Sequence, residues 1–136
     1  VDIYINDTPV DANYAFQSIY DIGQIEVLRG PQGTLRGRPA PAGAITMTTA
    51  RPELEETSAS ISGSASDQDA RNVQGAVNVP LIEQELSLRV AALHDENDGG
   101  QVESVNGGGN ENTTTDSWRT SLRWAPTDTI DATLTH

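Results

Sequence analysis

Cysteine is absent from the 136 residues, which excludes a disulfide framework, a thiolate metal site and a cysteine nucleophile. Lysine is absent too. All eight basic residues are arginine, so Schiff-base and P-loop lysine chemistry are excluded. Those eight cations stand against 20 carboxylates, a formal net charge of -12, and such a surface does not suit the phosphates of nucleic acid. No run of about 18 apolar residues occurs, so no transmembrane helix is expected. The chain opens on neither Met nor a basic-then-apolar leader, so a secretory signal, if the gene encodes one, is expected outside it. Aromatic residues make up 4% and hydrophobic residues 35%, lean for a water-soluble core. The length suits one modest domain. Such leanness fits either disorder or a sheet with one polar face, and periodicity decides between them.

The first part reads as a small mixed unit. Val1, Ile3, Tyr4 and Ile5 form a short β-branched and aromatic strand, closed by turn chemistry at Asn6, Asp7, Thr8 and Pro9. Residues 11–22 place Phe16, Ile19 and Tyr20 on one face of a short helix. Residues 24–28 alternate as a strand that Arg29, Gly30 and Pro31 stop. Glycines at 30, 33, 37 and 43 demand a tight path with close backbone approach. No Gly-Lys-Ser/Thr follows, so this is not a Walker loop, and its spacing is not that of a dinucleotide-binding turn. Residues 44–49 form another strand, ended by Arg51 and Pro52.

From residue 58 onward the pattern changes to strict period two. Ser58, Ser60, Ser62 and Ser64 oppose Ala59, Ile61 and Gly63. Val73, Val77 and Val79 oppose Asn72, Gln74 and Asn78; Leu88 and Val90 oppose Ser87 and Arg89; Trp118, Leu122 and Trp124 oppose Arg119, Ser121 and Arg123. Ile130, Ala132 and Leu134 continue the pattern against Asp131, Thr133 and Thr135. About five strands of roughly ten residues, each with one apolar and one polar face, have the length and period of membrane-spanning β-strands. Connections around residues 80–84 and 126–128 are short, whereas a long polar loop spans 95–116. Short turns at one end and longer loops at the other are the asymmetry of outer-membrane barrels. Five strands leave two unpaired edges, which hydrocarbon does not satisfy, so further strands are expected after His136.

The run Glu26-Val27-Leu28-Arg29-Gly30-Pro31-Gln32-Gly33-Thr34, with Gly37 and residues 43–52, resembles the plug domain of TonB-dependent outer-membrane receptors. Residues 1–10 resemble an earlier plug strand, and residues 72–97 and 116–129 resemble the first barrel hairpins. Arg36, Ala42 and Thr46 depart from the family's usual Tyr, Gly and Asn. The resemblance implies a mainly β fold: the C-terminal part of an α/β plug domain over 1–52, then the first antiparallel strands of a transmembrane β-barrel over 53–136. In complete members that barrel has about 22 strands around a plugged lumen. It further implies residence in the outer membrane of a Gram-negative bacterium. The function implied is energised uptake of a scarce ligand, by family size a ferric siderophore or other iron complex. The partners implied are TonB with its inner-membrane motor, and outer-membrane lipid. Arg29, joined by Glu26, is the implied plug–barrel contact, its guanidinium suited to carboxylates on a barrel wall. Gly30, Pro31, Gly33, Gly37 and Gly43 are implied to set plug-turn geometry.

No catalytic, cofactor-binding or metal-binding residue is expected. His94, Asp95, Glu96 and Asp98 cluster in sequence, but without EF-hand spacing they read as a solvated acidic run. Neither His94 nor His136 has a nucleophile motif to serve, so an enzyme is not expected. The competing class is a surface or secreted β-rich adhesion module, which accounts for the alternation and acidity and leaves the Arg-Gly-Pro-Gln-Gly run without a reason.

Overall fold

The computed structural model describes residues 1–17, 19–31, 40–66, 70–97 and 113–136. They form two compact units, Val1–Ala50 and Arg51–His136.

In the first unit, β1 (Asp2–Ile5) and β2 (Thr8–Val10) make a hairpin whose two-residue turn is Asn6 and Asp7, with φ of 48° and 62°. Asn and Asp tolerate this left-handed conformation, which matches the twist of the flanking strands. Pro9 has no N–H to donate, and it lies on β2, the sheet edge. Helix α1 (Ala12–Gln17) starts where the Asp11 carboxylate accepts from the Asn13 N–H at 2.9 Å. The helix is shorter than its sequence pattern predicts. Ile19 is exposed beyond its end, while Tyr20 is buried ahead of Asp21, whose φ is 50°. Strands β3 (Ile22–Leu28) and β4 (Ala44–Thr49) complete a four-stranded sheet of order β2-β1-β4-β3, in which only β1 and β4 run parallel. Ile3, Met47 and Ala15 pack on one side of this sheet; Tyr4, Ala40 and Ala44 pack on the other.

The second unit is an antiparallel meander of five strands in sequence order: β5 (Ser58–Ala65), β6 (Ala70–Ile82), β7 (Leu86–Asn97), β8 (Thr113–Thr127) and β9 (Ile130–Thr135). The register pairs like with like. Val77 faces Val90, Val79 faces Leu88, Leu88 faces Leu122 and Leu122 faces Leu134, while Asn78 faces Arg89 and Arg89 faces Ser121. Directly opposite residues share a face, so the period-two pattern of each strand merges into two continuous surfaces.

Two turns differ from their sequence reading. Residues 80–82 belong to β6 and residues 126–127 to β8, so the reversals occupy only residues 83–85 and 128–129. Each extension carries a register shift beside its proline, between Pro80 and Ile82 and between Trp124 and Thr127. A residue without an N–H fits a strand where the ladder is already interrupted.

Candidate functional site

The two faces of the second sheet reverse the burial order of a water-soluble protein. Its apolar face is open: Trp118 is 62% exposed, Trp124 51%, Val77 48% and Val90 42%. On the opposite face Asn78 and Ser87 are fully buried, and Ser121 is nearly so. Arg89, Arg119 and Arg123 share this polar face and are half-buried. Apolar surface is ordinarily what folding hides from water.

The polar face is covered by the segment that leads into β5. Asn78, on β6, uses its whole amide there. Its Nδ2 donates to the carbonyls of Glu53 at 3.0 Å and Glu56 at 2.7 Å. Its Oδ1 accepts from the Glu53 N–H at 2.9 Å and from the Ser87 hydroxyl at 3.4 Å. The carbonyl of Leu54 accepts from the N–H of Gln84 at 3.2 Å, in the turn between β6 and β7. At the start of the segment, the Asp131 carboxylate on β9 takes the Arg51 guanidinium at 2.7 Å and the Arg123 guanidinium at 2.9 Å. Arg123 also donates to the Pro52 carbonyl at 3.1 Å, and Arg51 to the Thr133 hydroxyl at 3.2 Å. Pro52 itself is fully buried. Among the described residues no buried side-chain nitrogen or oxygen lacks a partner.

This network is what the sequence reading missed. Asn78 and Ser87 register there only as polar members of alternating strands, and Arg51 and Pro52 only as an ending. The available signal was the pair of polar residues, Asn78 and Ser87, flanking the turn at strand positions that otherwise alternate with Val79 and Leu88.

The residues singled out in the first unit lie at the β3–β4 connection. Glu26 is on β3 in register with Thr46, and its carboxylate accepts from the Gln24 amide at 2.9 Å. Arg29, Gly30 and Pro31 follow β3 and are exposed. Gly30 has φ of +80° in open space, whereas Gly43 has φ of +105° with the Leu28 carbonyl oxygen in the space that a Cβ would take. Gly33 and Gly37 lie outside the described residues, as do residues 98–112 of the long loop.

The acidic cluster around His94 separates across the sheet. Asp95 lies on the polar face and accepts from Asn72 at 2.8 Å, while His94 lies on the open face, 2.6 Å from Asp116. Among the described residues no group of three His, Cys, Asp or Glu side chains stands ready to hold a metal ion.

No family model matches the chain. It is 30% identical over 129 residues to pesticin receptors of Yersinia enterocolitica and Yersinia pestis, a match covering 94% of this chain. The chain spans 19% of the length of these curated relatives. Among solved structures, the ferric-catecholate import receptor Fiu of E. coli K12 superposes with a TM-score of 0.68 at 23% identity, over 90% of this chain and 17% of that one. The siderophore receptor PirA of Acinetobacter baumannii gives 0.65 at 20% identity, over 93% and 22%. The chain is thus homologous to the pesticin receptors, and its fold is that of the plug and barrel segments of TonB-dependent receptors.

Proposed function

We propose that the chain is part of an outer-membrane receptor of a Gram-negative bacterium. The receptor binds a ferric siderophore or other iron complex and imports it into the periplasm, with energy delivered by TonB and its inner-membrane motor. The observation that carries this reading is the reversed polarity of the second sheet. A face presenting Val77, Val90, Leu122 and two tryptophans outward, over a face of buried Asn, Ser and half-buried Arg, suits lipid outside and a hydrated, plugged interior within. Trp118 and Trp124 lie on that outward face, as interfacial girdle residues do. The ligand class is supported by the names of the relatives of known structure, a ferric-catecholate import receptor and a siderophore receptor. Glu26 and Arg29 keep in this reading the role that the resemblance implies for them.

The test is uptake of a radio-iron-labelled catecholate siderophore by cells carrying or lacking the full gene, with and without a protonophore. Gene-dependent accumulation that stops when the proton gradient collapses is the expected result. Gene-dependent accumulation that survives the collapse overturns the energised mechanism.

A further inference from the structure

The bonding partners of the chain change over two residues. The N–H of Ala50 donates to the carbonyl of Asp21 at 2.8 Å, inside the first unit. The side chain of the next residue, Arg51, reaches Asp131 and Thr133 of the second, and the carbonyl of Pro52 accepts from Arg123 there. From there to Glu56 the segment is held at three successive places. The first is Asp131 with Arg51, and Arg123 with the Pro52 carbonyl. The second is Gln84 on Leu54, and the third is Asn78 on Glu53 and Glu56. The ion pairs are partly exposed and alone hold little. Asn78 differs, because it is fully buried, and its removal strands one N–H and two carbonyls of the segment without their partner.

We propose that residues 51–56 are a fixed anchor: they stay bonded to the polar face of β6–β9 under any rearrangement of the first unit, so that such a rearrangement ends at Arg51. Asn78, Arg123 and Asp131 are its positioning residues. The proposal rests on the transport reading only for what makes the first unit rearrange; where the rearrangement stops follows from the bonds of the second unit.

Two experiments on the full-length receptor test it. In an otherwise cysteine-free receptor, Leu54→Cys and Gln84→Cys are joined by a short bis-maleimide, and uptake of the radio-iron catecholate complex is compared before and after joining. The anchor predicts that the joined receptor keeps more than about half of the unjoined rate, since no bond that must break has been locked. Uptake that is present before joining and lost after it overturns the anchor.

Hydrogen exchange in detergent reads the same claim without transport. Along a urea series, the amides of Glu53 and Gln84 stay protected after those of residues 44–49 have exchanged. Asn78→Ala lowers the protection of Glu53 by about tenfold or more and leaves residues 44–49 unchanged. Exchange of Glu53 in step with residues 44–49 overturns the anchor. Failure of uptake in both joined and unjoined receptor counts against the transport reading alone, and the exchange series then decides the anchor.

Discussion

Gly30 and Gly43 both have positive φ, yet they differ in what surrounds them. At Gly30 an added methyl meets open space, so Gly30→Ala bears only the conformational cost of a left-handed L-residue, about 1–2 kcal/mol. At Gly43 the same methyl collides with the Leu28 carbonyl, and backbone must shift. Gly43→Ala is therefore expected to cost about 3 kcal/mol or more in the stability of the first unit. Urea unfolding of the full-length receptor, followed by exchange of the β3 and β4 amides, compares the two. Equal costs contradict the crowding at Gly43. The sequence marks both glycines as geometric and does not rank them, because the ranking depends on Leu28, which the β3–β4 pairing sets opposite Ala44 and so beside Gly43. Asn78 was hidden for the same reason. Its partners Glu53 and Glu56 lie more than twenty positions earlier, and no local pattern in β6 signals them.

At the level of strands, alternation alone was enough to assign faces. A side chain on a strand has two directions available, and antiparallel register carries that choice from one strand to the next. Val90, between the levels of Trp118 and Trp124, is on the open face, and Gln74 is on the polar one. Val90→Arg is expected to destabilise the folded receptor in lipid by about 2–4 kcal/mol, and Gln74→Arg by less than about 1 kcal/mol. Refolding titrations into vesicles measure both, and a smaller penalty at Val90 than at Gln74 would reverse the assignment of faces. Spin labels placed in turn at Leu88, Arg89 and Val90 of the reconstituted receptor should read lipid, water, lipid. Strand ends were less legible than faces. Pro80 and Pro126 are turn signals by composition, but both sit beside register shifts that spare their missing N–H, and the strands run past them. In the other direction, α1 covers Ala12–Gln17 although apolar spacing continues to Tyr20, and Asp21 has a left-handed backbone ahead of β3.

For the molecule as a whole, the 136-residue chain in lipid-free buffer has two costs to meet at once: an apolar face that is uncovered among the described residues, and sheet edges at β5 and β9 that are unpaired among them. Neither is relieved by water, and strand edges template association. The chain is expected to aggregate or to lack a cooperative thermal transition, as light scattering and circular dichroism would record. A soluble monomer with a sharp melt contradicts the membrane reading.

The tryptophans carry a further consequence at this scale. Six positions separate Trp118 from Trp124, about 20 Å along an extended strand and roughly 15 Å across a bilayer at the usual tilt. That falls short of an ordinary hydrocarbon thickness of about 30 Å. In the membrane reading at most one of the two indoles therefore stands at an interface, and the other lies against acyl chains.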